Sequence, residues 1–163
     1  KVKSSSSIII ESLRNSKKVM WCGNGGSAAQ ANHLSAELVG GMYTKKIEPF
    51  ASICLNSDTA FITAWSNDDS FENIFLRQLQ SLGCKGDILF ILSTSGNSKN
   101  IINAASYALN NGIKVISLTG DSGGAIKEFS DININIPSND TQRIQEIHIL
   151  IGHIICDIIE NNI

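Results

Sequence analysis

Val19-Met20-Trp21-Cys22 runs straight into Gly23-Asn24-Gly25-Gly26-Ser27-Ala28, and Ile88-Leu89-Phe90-Ile91-Leu92 runs straight into Ser93-Thr94-Ser95-Gly96-Asn97-Ser98. In both stretches a short apolar strand ends in small and hydroxylated residues, and a helical pattern follows. The start of a helix carries unpaired backbone N–H groups at the positive end of the peptide dipoles, so it attracts anions. Small residues let a phosphate approach that backbone, and hydroxyls add donors. Two such turns in one small chain point to a phosphorylated sugar held at the C-terminal edge of a parallel sheet.

The same alternation continues on either side. Ile8 to Asn15 reads as the end of a helix, with Ser4-Ser5-Ser6-Ser7 as its cap or a frayed start. Lys18 to Cys22 is a first strand, and Ala28 to Val39 a helix with Ser27 as N-cap and Gly40-Gly41 as its stop. Met42 to Phe50 is a loop, Ala51 to Leu55 a second strand, and Asn56-Ser57-Asp58 opens a short helix ending near Trp65. Asn67-Asp68-Asp69-Ser70 is a polar break that caps a helix from Phe71 to Leu82. Asp87 to Leu92 is a third strand, Asn97 to Asn111 a helix closed by Gly112, and Lys114 to Leu118 a fourth strand. Beyond Thr119, Ala125 to Phe129 is a short helix, Ile132 to Ile136 a final strand stopped by Pro137, and Thr141 to Asn161 the last helix. This order predicts an α/β fold: a doubly wound, mainly parallel five-stranded sheet flanked by helices, in a single domain over residues 1–163.

At 163 residues, 42% of them hydrophobic, the chain can bury a full core. Charged residues are only 17%, below the roughly 25% usual in soluble domains, which suggests that other subunits cover part of the surface. A net charge of −2 gives no reason to expect nucleic acid or an anionic membrane as partner. No segment approaches about 20 uninterrupted apolar residues, so none is expected to span a membrane. Cys22, Cys54, Cys84 and Cys156 are scattered without a C-x-x-C pair, and the apolar runs around Cys22 and Cys156 predict buried free thiols. No signal peptide is visible, so a cytoplasmic protein is expected; residue 1 is Lys rather than Met, and the first helix is expected to be incomplete.

In the last helix, Ile144, Ile147, Ile149, Leu150, Ile151, Ile154, Ile155, Ile158 and Ile159 put apolar residues on nearly every side. A helix apolar all round is buried, which predicts a homo-oligomer with this helix near its centre. Two polar sets interrupt the apolar pattern. His33 and Glu37 are four apart and share one helix face; Gln145, Glu146, His148 and His153 lie on the last helix. His and carboxylate are ordinary zinc ligands, and an amide oxygen is an uncommon but workable one. Taken alone, His-x-x-x-Glu is weak evidence for a metal and reads first as a surface ion pair or capping contact; the balance shifts because its helix begins at the first glycine turn, which puts the pair near a site. Gln145 and His153 are about 12 Å apart along a helix axis. They meet one ion only if both lean inward or if one serves a neighbouring subunit, and spacing leaves both open. His148 reads as a structural hydrogen-bonding group, and Gly120-Asp121-Ser122-Gly123-Gly124 as a strand-to-helix connection. There is no Ser-His-Asp order, no Walker lysine and no acidic residue suited to a dinucleotide ribose, so hydrolase, nucleotidase and dehydrogenase readings start behind.

Taken together, Gly23 to Ala28, His33 to Glu37, Ser93 to Ser98 and Arg143-Ile144-Gln145-Glu146-Ile147-His148 resemble the sugar isomerase (SIS) family and, within it, the phosphoheptose isomerases of bacterial heptose synthesis. The resemblance runs in order over essentially the whole chain. The serine turn alone indicates an SIS domain; His33 and Glu37 with Gln145 and His153 narrow it. The resemblance implies a cytoplasmic homotetramer with sites near subunit interfaces. It implies conversion of D-sedoheptulose 7-phosphate to D-glycero-D-manno-heptose 7-phosphate through an enediol, for lipopolysaccharide, capsule or another surface glycan. By the same resemblance, Ser93, Thr94, Ser95 and Ser98 hold the phosphate, aided by Asn24, Gly25, Gly26 and Ser27. Asn67 and Asp68 contact the sugar, as do Glu37 and Gln145. One Zn2+ per subunit falls to His33, Glu37, Gln145 and His153, with Glu37 as base and His153 as acid. Gln142 departs from the pattern, standing where some relatives carry an acidic residue near the substrate. The competing expectation is a non-catalytic SIS protein that binds a phosphosugar or a replication-initiation partner; Glu37 and His153 together favour the enzyme.

Overall fold

The computed structural model describes residues 1–43 and 48–163. Its elements are α1 (Val2–Arg14), β1 (Val19–Gly23), α2 (Gly26–Gly40), β2 (Ser52–Cys54), α3 (Thr59–Asp68), α4 (Ile74–Leu82), β3 (Ile88–Ser93), α5 (Lys99–Asn110), β4 (Lys114–Thr119), β5 (Ile132–Asn135) and α6 (Thr141–Glu160). Short 3-10 turns occupy Phe71–Asn73 and Ala125–Phe129. The strands pair in parallel in the order β2-β1-β3-β4-β5, so the expected doubly wound sheet is present and every strand end lies within one residue of its expected place.

The period-2 pattern of the strands divides the core into two layers. Val19, Trp21, Phe90, Leu92 and Leu118 face α1, α2 and α6. Met20, Cys22, Leu89, Ile91 and Val115 face α4 and α5. On the first face Trp21 packs on Phe90 with ring centroids 4.5 Å apart, and its Nε1 donates to Ser52 Oγ at 2.8 Å. Burying a ring of that size against both sheet and helix removes one of the largest apolar surfaces from water.

Several local expectations need correction. The Ser4 to Ser7 run is neither cap nor frayed end but lies inside α1, where Ser5 and Ser6 are buried. Ser6 and Ser7 return their hydroxyls to the carbonyls of Val2 and Lys3, and packing against α6 outweighs the cap preference of serine. Ser27 is not the N-cap of α2: Gly25, at φ +56, turns the chain into the helix earlier and leaves Ser27 buried in the first turn. The expected helix over Phe71 to Leu82 opens as a 3-10 turn because Ser70 Oγ accepts from Glu72 N. Ala125 to Phe129 is likewise 3-10. Helix α3 runs on to Asp68, so Asn67 and Asp68 end a helix rather than break the chain, and α5 starts at Lys99 with Ser98 as N-cap. Part of the expected loop from Met42 to Phe50, residues 44–47, lies outside the described residues.

All four cysteines are free, with Cys22, Cys54 and Cys156 buried. Burial pushes the Cys22 thiol strongly up and that of Cys156 to about 12, so both stay protonated and unreactive. Among the described residues no helix is long and apolar enough to cross a membrane. Within one chain α6 buries a single stripe, Ile144, His148, Gly152, Ile155, Cys156 and Ile159. Its other side leaves Ile147, Leu150 and Ile154 at 38%, 52% and 42% exposure.

Candidate active site

Strand β1 connects outward to β2 and β3 outward to β4, so the chain diverges between neighbouring strands β1 and β3. Crevices of this kind at the C-terminal ends of strands are where open α/β sheets bind ligands, and both turns singled out in the sequence sit there. In the first, a Cβ on Gly23 would lie 2.8 Å from backbone atoms of Leu92 and Ser27, and one on Gly26 would lie 2.8 Å from the Gln145 amide. Backbone on both sides makes glycine a requirement for close packing at Gly23, whereas at Gly26 the neighbour is the end of a side chain that can turn away. In the second, Ser93 Oγ accepts from Gly96 N at 3.1 Å and Ser95 Oγ from Asn97 N at 3.2 Å. Ser93 is buried and shapes the turn from beneath, whereas Ser95 is exposed.

A third turn, Gly120 to Gly124, is more than the connection expected of it. Gly120 N donates to Thr94 O at 3.0 Å and Ile126 N to Gly96 O at 2.9 Å, while Asn97 Oδ1 accepts from Ala125 N at 2.8 Å. The serine turn and this turn enclose a cavity of about 250 Å³, lined by Thr94 and Ser95, by Asp121 and Ser122, and by Asn139 and Thr141 ahead of and within α6. No lysine or arginine lines it and Asp121 contributes a carboxylate, so the donors it offers are backbone N–H groups, hydroxyls and amides. The sequence carried a signal for the missed residues: Thr119 into Gly120-Asp121-Ser122-Gly123 is a third copy of the strand-to-small-residue pattern. Asn67 and Asp68 lie apart from this lining, their side chains hydrogen-bonded to each other at 2.9 Å.

The second cluster joins α2 to α6. Gly152 backs onto Leu34, leaving no room for a Cβ, and this close crossing sets His153 opposite His33 and Glu37. The two Nε2 atoms are 2.8 Å apart, with the rings edge to face, and His33 Nε2 is 3.2 Å from Glu37 Oε1. Potential ligand atoms of all three lie within 4.8 Å of one another. Two imidazole nitrogens and a carboxylate oxygen able to turn toward one centre fit the N/O donor set of zinc. Gln145 is held elsewhere. Its side-chain amide lies over Gly26, about 10 Å along α2 from His33, and its carbonyl accepts from Gln30 Nε2 at 2.6 Å. One chain thus brings together three of the four ligands expected from the sequence.

The cluster lies on the outer seam of the α2–α6 pair: His33 is half exposed, while its neighbour Leu34 faces the core. His148, expected to be a structural hydrogen-bonding group, makes no hydrogen bond through either ring nitrogen although wholly buried. The Thr119 backbone lies near enough to favour the charged form slightly, but without hydrogen-bond geometry. Burial dominates and holds the imidazole down to about 4, so His148 is a neutral core side chain. Between about 6.5 and 4 the unfolded chain takes up a proton that the folded one refuses, so stability rises with pH across that window and is lost as the solution is acidified.

Residues 1–120 match the SIS domain family. The phosphoheptose isomerase of Aliarcobacter butzleri is 49% identical over 158 residues, which cover 97% of this chain and 83% of that protein. Among solved structures, a phosphoheptose isomerase from Francisella tularensis superposes with a TM-score of 0.95 at 38% identity, covering 99% of this chain and 85% of the other. One from Neisseria gonorrhoeae gives 0.92 at 40% identity, covering 98% and 85%. With a family model matching residues 1–120 and relatives of this closeness along its length, on a sheet that carries glycine- and serine-rich turns at its strand divergence and a His-Glu-His cluster between α2 and α6, the chain belongs to the phosphoheptose isomerase family of SIS-domain proteins.

Proposed function

We propose that this enzyme interconverts D-sedoheptulose 7-phosphate and D-glycero-D-manno-heptose 7-phosphate through an enediol, in the cytoplasm, as a step in heptose supply for a surface glycan. The observation that carries the reading is the His33–Glu37–His153 cluster. A protein that only binds a phosphosugar needs the turns and has no use for the cluster.

The chemistry moves a proton between neighbouring carbons of the sugar and requires a base at carbon and a donor at oxygen. Glu37 directs Oε1 at His33. Its other oxygen makes no hydrogen bond among the described residues and is free to take the carbon proton. His153 Nε2 lies 2.8 Å from His33 Nε2, and with no metal on that nitrogen a protonated His153 can give its proton to the carbonyl oxygen as the enediol forms. His33, Glu37 and His153 would hold a zinc ion, with a Gln145 from a neighbouring subunit as fourth ligand, and the ion would supply Lewis-acid polarisation of that carbonyl. The backbone and hydroxyls of Thr94, Ser95 and Ser98, with Asn24 to Ser27, anchor the phosphate. Anchoring at the far end restricts the reacting carbons to the cluster.

Support for a homotetramer comes from two features. None of the cluster residues lines the serine-turn cavity, and the exposed stripe Ile147, Leu150 and Ile154 runs along α6 on the way to His153. A second copy covering that stripe would bring its own Gln145 and turns toward the cluster. Introducing Leu150→Glu with Ile154→Glu should split the assembly and depress turnover at least tenfold while α-helical content persists. An unchanged mass in sedimentation velocity would remove α6 from the interface.

The direct test is turnover of sedoheptulose 7-phosphate by protein that is untreated, chelated, and then resupplied with zinc. Loss on chelation and recovery with zinc is the expected result. Turnover indifferent to chelation would keep the isomerase and discard the metal, and no turnover by folded, zinc-supplied protein would favour a binding role.

A further inference from the structure

Asn24, in the first glycine turn, and Asn100, in the first turn of α5, face each other across the crevice between β1 and β3. Asn24 Nδ2 donates to Asn100 Oδ1 at 2.9 Å, and Asn100 Nδ2 donates to Asn24 Oδ1 at 2.9 Å. The orientation of the pair is fixed independently. Ile101 N donates to Asn100 Oδ1 at 3.0 Å, so that atom must be the oxygen, and the Asn100 NH2 must face Asn24. Asn100 is 2% exposed and cannot reach a ligand, whereas Asn24 is only partly buried. Each amide spends one hydrogen and one lone pair on the other. Asn24 is left with a second N–H and a second lone pair, both held in a set direction. One strand over, Asn56 makes the same two-bond clasp to the Gly23 backbone, at 3.2 and 3.0 Å. The first turn is therefore gripped from both sides.

We infer that Asn100 is a positioning residue: through the amide pair it sets the spacing of the two anion-binding turns and the direction of the Asn24 amide, and so governs affinity for the phosphate end of the substrate. The two turns belong to separate βα units, and the described residues include no other pair of side chains that hydrogen-bond to each other across the crevice from turn to helix. This inference rests on the assignment of those turns to phosphate.

The test compares Asn100→Ala, Asn24→Ala and the double variant, reading KM and kcat for sedoheptulose 7-phosphate and the affinity of each protein for inorganic phosphate by calorimetry. Asn100→Ala should raise KM about tenfold, weaken inorganic phosphate to a similar extent and leave kcat within about threefold. Because Asn100 acts through Asn24, it should cost less than about twofold more in the Asn24→Ala background. A lowered melting temperature with KM and phosphate affinity unchanged would reduce Asn100 to a structural role and overturn the inference, as would full multiplicativity of the two variants. Should Asn100→Ala fail to fold, the nearly isosteric Asn100→Asp keeps the acceptor for Asn24 and Ile101 but cannot donate to Asn24. It should show the same rise in KM, and a wild-type KM would overturn the inference. Absence of wild-type turnover would sink the isomerase reading alone, since inorganic phosphate affinity still tests the clasp: a drop in Asn100→Ala upholds it, and no drop or no wild-type binding overturns it.

Discussion

Glu37→Gln is expected to yield a protein that folds normally and turns over sedoheptulose 7-phosphate about a thousandfold more slowly, in line with the loss of a positioned general base. Glutamine keeps the length of the side chain and an oxygen that can face His33, now at 3.2 Å from the carboxylate. It removes the capacity to accept a proton from carbon, together with the negative charge that faces His33. The effect should fall on kcat, with KM for the sugar phosphate within a few fold, because the proposed phosphate anchor at the turns does not involve Glu37. Rapid-quench or coupled-assay kinetics on variant and parent, with circular dichroism as the folding control, would measure it. A kcat within tenfold of the parent would exclude Glu37 as the base and turn attention to His153.

Gly96→Ala should produce the largest structural effect. Gly96 has φ +64, a conformation that costs a residue with a Cβ about 1 kcal/mol or more. In addition, the new Cβ would lie against the Gly123 carbonyl oxygen, far inside van der Waals contact. That oxygen belongs to backbone that cannot retreat: Ile126 N is bonded to Gly96 O and Gly120 N to Thr94 O, and a Cβ on Gly124 would in turn meet Ser95 O, so neither turn has slack to give. Relief requires separating the serine turn from the third turn, which opens the cavity proposed to take the phosphate. A loss of about 3 kcal/mol in unfolding free energy, with KM raised by an order of magnitude or more, is expected. Chemical denaturation and steady-state kinetics on the same preparation would check both. A denaturation midpoint equal to the parent's would mean that the two turns are not held together as described.

The sheet was legible because its signal is local and redundant. Val19 to Cys22 and Ile88 to Leu92 can only be strands that bury both faces, and their alternating side chains divide between two helical layers as period 2 requires. The two turns were legible for the same reason, since strand, small residues and helix follow one another within a dozen positions. The third turn carried the same pattern, but a single glycine-rich connection is ambiguous until its neighbour is known. Only the backbone bonds from Gly120 and Ile126 to Thr94 and Gly96 make it part of the site. His33 and Glu37 were paired by helical spacing, but their meeting with His153 depends on how closely α6 crosses α2 at Gly152 and Leu34, which no local pattern encodes. Asn100 was invisible because an asparagine in the first turn of a helix looks like a capping residue. The Ser4 to Ser7 run misled for the converse reason: serine favours caps, and burial against α6 outweighed that preference.

The crossing of α2 and α6 also bears on when the protein becomes competent. His33 and His153 are 120 residues apart in sequence, and the intervening chain contains most of the sheet. Their meeting closes a long loop whose entropy cost is met only once the core is in place. A nascent chain that has already formed β1, β3 and both turns could grip a phosphate while still lacking half of its proton-transfer pair. Catalysis would then begin only when α6 docks, so recovered activity in a refolding experiment should lag behind recovered sheet signal and act as a stringent reporter of complete assembly.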